Sequence, residues 1–204
     1  MLWGWSLRPA VRSEAMNRSI SSWVIVWLLP VAAALAAAQR EEAVMLFDNR
    51  KVVVAVPPGF SFASQKDEEG LVQLTLAAAE GKLSLQILLI PDPDERSTQA
   101  RARKERMVEL FNGYVEDSVE KGMRFEELEP RQGAGTYCVF TDAKLVGQES
   151  LPPNEFLNLT AGLKAWRGVL VVFRLFSNGT TSAEYRAALA LLRNSVEERS
   201  APWK

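Results

Sequence analysis

Alternating hydrophobic and polar residues predict β-strands in the first half of the chain. In residues 71–77, Gln73 and Thr75 lie between aliphatic residues at every second position, and in residues 83–90 Ser84 and Gln86 do the same. A period of two is typical of a strand with one buried face. A β-branched run at residues 51–56 precedes them, ends at Pro57-Pro58-Gly59 and continues as an extended segment. These segments predict an antiparallel β-meander.

Two later segments carry a helical period instead. Residues 95–121 predict a long helix that begins with Asp94 as N-cap and ends before Gly122. The sequence Thr181-Ser182-Ala183-Glu184 predicts a capping box for a C-terminal helix. On the long helix, the apolar stripe comprises Met107, Leu110, Phe111, Tyr114 and Val115. The opposite, charged face comprises Arg101, Arg103, Lys104, Glu105 and Glu109, and we interpret it as a solvated helix surface.

Four further strands are predicted between the helices, at residues 124–131, 136–145, 155–164 and 169–176. The last two form a hairpin with a turn around Trp166-Arg167-Gly168, and the nearly all-apolar return arm predicts a central strand. The order β-β-β-α-β-β-β-β-α indicates an α+β fold. We expect an antiparallel sheet of about six or seven strands, packed by one long middle helix and one C-terminal helix, in a single domain over residues 39–204.

The N-terminal segment has the features of an export signal. A basic, polar stretch from Met16 precedes an apolar run beginning at Trp23, and small residues end it at Ala38. This order predicts cleavage between Ala38 and Gln39, with Met16 as the possible true start. The alternative is an uncleaved membrane anchor, but a spanning helix needs about 20 apolar residues and this run is shorter. We therefore expect a periplasmic or secreted protein without a membrane span after cleavage.

Composition removes several classes of function. The chain contains no histidine and one cysteine, Cys138, so a conventional zinc site, a Ser-His-Asp triad and an internal disulfide are excluded. Cys138 follows Tyr137 in an apolar run and is expected to be a core residue. The formal net charge of −1 gives no basic footprint for nucleic acid. We identify no catalytic, cofactor-binding or metal-binding residue and expect no cofactor.

The most informative polar positions are uncharged. Several predicted strands pair an apolar face with small polar side chains, whereas a solvated sheet face usually carries Lys and Glu. We hypothesise that this polar face is covered by a helix or binds a ligand or partner, with Gln73, Gln86 and Asn158 as its candidate residues. The uncharged positions are Gln73, Thr75, Ser84, Gln86, Asn158 and Thr160.

Carboxylate clusters leave one enzymatic alternative open. Two carboxylates that face each other across a cleft can perform acid–base hydrolysis without histidine. The clusters lie at a strand-to-helix corner and on a strand expected to be exposed: Asp92, Asp94, Glu95, Glu126, Glu127 and Glu129.

The organisation of the chain resembles the Mog1/PsbP-type fold of exported bacterial proteins. The resemblance rests on the extended segment Val56-Pro57-Pro58-Gly59-Phe60, the meander, the long middle helix, the late hairpin and the closing helix around Leu191. It implies a binding or assembly-assisting module without catalysis, whose partner is another envelope or secreted protein. A carrier that holds a small apolar ligand between the long helix and the sheet is the second expectation, and a carboxylate-dependent hydrolase is the third.

Overall fold

A computed structural model describes residues 40–47, 50–194 and 197–198. The predicted export signal and its cleavage site at Ala38 and Gln39 lie outside these residues. These residues contain two α-helices, α1 (Ala100–Phe111) and α2 (Ala183–Asn194). The strands are β1 (Arg40–Met45), β2 (Lys51–Val56), β3 (Phe60–Lys66), β4 (Val72–Ala78), β5 (Leu83–Pro91), β6 (Glu126–Glu127), β7 (Ala134–Thr141), β8 (Asn158–Trp166), β9 (Val169–Ser177) and β10 (Glu197–Glu198).

The described strands form two antiparallel sheets. The main sheet has seven strands in the order β3-β4-β5-β9-β8-β7-β6, and a small sheet has the order β1-β2-β10. This arrangement confirms the predicted α+β class and the antiparallel sheet of about seven strands. The apolar strand β9 is central, as its sequence predicts, because it must be buried on both faces.

The main sheet carries a hydrophobic core on each face. On the face that we call the α2 face, side chains such as Leu74, Ile87 and Phe173 pack with α2 and the small sheet. On the opposite α1 face, Phe140 and Leu163 pack with α1. Neighbouring residues of one strand point to opposite faces, so β8 and β9 contribute side chains to both cores.

The long middle helix is shorter than its pattern predicts. The prediction of a helix over 95–121 with Asp94 as N-cap is wrong, since Glu95 has a left-handed φ of 50° and a 3₁₀ turn at Arg96–Thr98 precedes α1. After α1 the chain enters another 3₁₀ turn at Asn112–Tyr114, where Gly113 weakens helical continuation. The apolar stripe is nevertheless confirmed as the surface that packs on the sheet.

Two other predictions need correction. The strand predicted at 124–131 is reduced to the two residues of β6, and the strand predicted at 136–145 runs from Ala134 to Thr141. Gly133 lies in the turn that leads into β7 and has a φ of 79°. A Cβ at Gly133 would lie 2.0 Å from the Ala165 carbonyl oxygen, so the turn requires glycine.

Candidate binding surface

One half of the α1 face has no helix over it among the described residues. We call it the open face and define it by seven of the side chains that β3, β4 and β5 direct to that side, leaving out the buried Ser84 and the partly buried Leu88 and Ile90. All of them are uncharged, and all are exposed or partly exposed. On the other face of β4 and β5 every side chain except that of Pro91 is buried. The open face comprises Ser61, Ala63, Gln65, Gln73, Thr75, Ala77 and Gln86.

The strand register joins the open face to the centre of the sheet. Gln86 lies opposite Thr75 on one side and opposite Arg174 of β9 on the other. Gln73 lies opposite Leu88, which is the next residue of β5 after Gln86 on the same face of the sheet. The structure therefore places Gln73 and Gln86 on the same face and on neighbouring strands, as the hypothesis of a polar face requires.

A cavity of about 140 Å³ lies at this junction. Two amide side chains, one guanidinium group and several apolar side chains line it. A ligand there could therefore make hydrogen bonds and apolar contacts at the same time. Its lining residues are Gln73, Gln86, Ile87, Leu88, Val172 and Arg174.

The polar atom that distinguishes this cavity is the Arg174 Nε. It is buried and has no hydrogen-bond partner within the described ranges. A buried N–H without an acceptor costs about 1–3 kcal/mol. Sequence reasoning missed Arg174, although a single charged residue in the otherwise apolar run of β9 was the available signal.

Asn158 does not belong to this surface, and its inclusion in the hypothesis is wrong. The pairing of Asn158 with Ser177 and Thr141 places its side chain on the α2 face, and it is buried there. Its Oδ1 accepts a hydrogen bond from the Thr141 hydroxyl at 3.3 Å. Thr160 follows the same face and contacts the Tyr185 hydroxyl at 2.8 Å. Alternation identifies two faces for each strand but does not say which faces coincide between distant strands.

The edge of the main sheet adjoins the open face. In the described part of the chain no strand pairs with the outer side of β3. This strand contains neither proline nor acidic residues, and its only charge is the terminal Lys66. Such an edge lacks the usual protection against pairing with another chain.

Three of the carboxylates in the two clusters interact with polar groups of the fold. The Glu126 carboxylate accepts a hydrogen bond from the Tyr137 hydroxyl at 2.7 Å, and Glu127 lies 3.4 Å from the Arg103 guanidinium. Asp92 accepts the Ser97 backbone N–H at 3.3 Å. No group of three or more carboxylate or thiol side chains suited to a metal ion occurs among the described residues.

Burial is the main cause of the raised pKa values of Tyr137 and Cys138, two ionisable groups near Glu126. It raises the pKa of Tyr137 to about 12, and the hydrogen bond to Glu126 adds to this shift. Burial likewise raises the pKa of Cys138 to about 12. The prediction that Cys138 is a core residue is confirmed, since its side chain is fully buried. A thiol with so high a pKa is not a reactive nucleophile at neutral pH.

The space between α1 and the sheet is occupied by side chains. Met107, Phe111 and Phe140 have no exposed surface there. A second, shallower depression of about 420 Å³ lies elsewhere, beside Trp166 and Arg167 at the β8–β9 turn. The Trp166 indole N–H already donates to Gln132 at 2.8 Å.

Comparison of the chain with protein-family models, with curated proteins and with solved structures gives no match in any of the three. The Mog1/PsbP-type resemblance therefore rests on sequence features alone and stays a prediction. Neither helix of the described ranges has the length and hydropathy needed to span a bilayer.

Proposed function

We propose that this protein is an exported accessory module, without catalytic activity of its own, that acts by binding another envelope or secreted protein. The open face is the observation that carries this proposal. Four of its seven uncharged side chains lie on β4 and β5, whose opposite face packs in the core, and the other three lie on the edge strand β3. The depletion of charge at this patch is typical of the central part of a protein interface.

The edge strand β3 strengthens the same proposal. A partner segment that pairs with β3 would extend the main sheet and at the same time contact the open face. Backbone hydrogen bonds would then provide affinity, and the side chains of the open face would provide specificity. The filled interface beneath α1 gives no comparable support to a carrier of apolar ligands.

Site-specific photo-cross-linking of the full chain in its own host tests the proposal. A photoreactive residue at Thr75 lies on the open face, and one at Val108 lies on the exposed side of α1 as the matched control. We expect a discrete adduct with an envelope or secreted protein from Thr75 and none from Val108. The processed chain should also begin at Gln39. Absence of an adduct from Thr75, or retention of the chain in the cytosol, would contradict the proposal.

A further inference from the structure

Arg174 occupies a position where a charge is unusual. It lies in the middle of β9, the central strand of the main sheet, between Phe173 and Leu175, which are fully buried on the α2 face. Across the sheet its neighbours on the α1 face are Gln86 and Ala161, and neither carries a charge. The guanidinium therefore lies in a neutral surrounding on a strand that is otherwise apolar.

Three other buried or half-buried cations of the described structure donate hydrogen bonds within the fold. The Arg103 guanidinium donates to two backbone carbonyls and to the Thr136 hydroxyl. Lys164 donates to the Leu192 carbonyl oxygen, and Arg193 donates to the Leu128 carbonyl oxygen. Arg174 makes no ion pair within the described ranges, and its buried Nε–H has no acceptor. Arg174 as a whole is partly exposed, but a buried N–H without an acceptor is costly, so the contrast indicates an acceptor supplied from outside.

The cavity at Arg174 has the size and chemistry for one acidic side chain. At about 140 Å³ it is smaller than the roughly 300–1,000 Å³ of pockets that enclose whole small molecules. A guanidinium binds a carboxylate through two parallel hydrogen bonds, and the Gln73 and Gln86 amides add further donors. Leu88 and Val172 provide apolar walls for the methylene groups of the same side chain.

We infer that Arg174 is the anchor of the open face and binds a glutamate or aspartate carboxylate that the partner protein inserts between Gln73 and Gln86. This inference rests on the proposed function, because it assigns the chemistry of the surface through which the partner is bound. Among the described residues that line the cavity only Arg174 is charged, and a carboxylate complements it.

Nuclear magnetic resonance titration of the protein purified from its host tests this assignment. The probe is N-acetyl-glutamate N-methylamide, and the matched control compound is the glutamine analogue, which has nearly the same shape and no charge. We expect the glutamate compound to produce saturable shifts of the Arg174 Nε–H signal and of the Gln73 and Gln86 side-chain NH₂ signals. The Kd of the glutamine compound should be higher than that of the glutamate compound by about tenfold or more.

Three variants separate an anchor from a merely structural residue. Arg174→Gln should abolish the preference for the glutamate compound. Gln86→Glu places a carboxylate directly opposite Arg174 and should abolish it as well, while the charge on Arg174 is retained. Arg101→Gln, an exposed arginine paired with Glu105, should leave it unchanged. Equal binding of both compounds to the unmodified protein, or full binding by Gln86→Glu, would overturn the inference.

The two experiments fail in distinguishable ways. A protein adduct from the photoreactive Thr75 variant without a preference for the glutamate compound overturns the role of Arg174 and leaves the proposed function in place. A preference for the glutamate compound without any protein adduct overturns the proposal that this surface binds a partner protein. In that case a free carboxylate compound is the ligand of the cavity.

Discussion

Arg103 is a buried arginine whose hydrogen bonds tie α1 to the sheet and to the preceding turn. Its side chain donates to the Ser97 and Thr98 carbonyl oxygens, both at 3.0 Å, and to the Thr136 hydroxyl at 2.8 Å. The interpretation of the charged helix face as solvated is therefore wrong for this residue, though exposed Arg101 and Glu105 fit it. Arg103 precedes Met107 by one helical turn and shares its buried side.

Replacement of Arg103 by methionine should lower the free energy of unfolding by about 2–4 kcal/mol, because buried carbonyl and hydroxyl groups lose their donor. The measurement is equilibrium unfolding in urea. Arg101→Met is the control, and we expect its unfolding midpoint to equal that of the unmodified protein, since its ion pair is exposed. Similar losses in the two variants would show that Arg103 has no special structural role.

At the scale of elements, the cap of α2 offers a sharp comparison between two adjacent residues. The sequence predicts Thr181 as the capping residue, but α2 begins at Ala183 and the Ser182 hydroxyl accepts the Tyr185 backbone N–H at 3.1 Å. The Thr181 carbonyl oxygen instead accepts a hydrogen bond from Arg186. The predicted role of Glu184 near the helix start is retained, since hydrogen bonds from its own backbone N–H and the Ser182 hydroxyl lower its pKa.

We expect Ser182→Ala to destabilise the protein by about 1 kcal/mol, because the first turn of α2 loses its cap. Thr181→Ala should change stability much less, since its contribution to the helix comes from its backbone. Thermal unfolding of both variants, followed by circular dichroism, checks the order. If Thr181→Ala were the more destabilising variant, the capping box predicted from the sequence would be correct after all.

Local patterns identify most elements of the fold, and they miss those that depend on distant partners. The β8–β9 hairpin is predictable because Arg167 and Gly168 form a two-residue turn, in which both have positive φ. Strand β1 was missed because its sequence begins with Arg40-Glu41-Glu42, and only its pairing with β2 makes it a strand. Charged residues are poor strand formers until a neighbouring strand satisfies their backbone.

At the scale of the whole molecule, the candidate site also combines features that local sequence predicts with features that depend on distant strands. The absence of charge at Gln73 and Gln86 could be read from the sequence, whereas the presence of Arg174 beside them depends on β9 pairing with β5, which lies more than 80 residues earlier in the chain. The error over Asn158 has the same origin. The face to which a strand directs its side chains is fixed by the register of the assembled sheet.

The two cores should unfold together, because they share β8 and β9. Every residue of β8 is buried, and those of β9 are buried except for the partly exposed Arg174. Met107→Ala removes a fully buried side chain from the α1 face only, and such a change costs about 2–5 kcal/mol. We expect hydrogen exchange to show equal losses of protection for the slowest amides of β8, β9 and α2, although α2 lies across the sheet from the substitution.

Amides of the edge strand β3 provide the internal control in the same experiment. They should exchange faster than those of β8 and respond less to Met107→Ala, because they open by local motions that leave the cores intact. Loss of protection confined to α1 and β7 would instead define two separately folding halves. Equal losses in β8, β9 and α2 would mean that the central strands open only when the whole protein unfolds. A partner would then meet Arg174 already in place and bind without first ordering it.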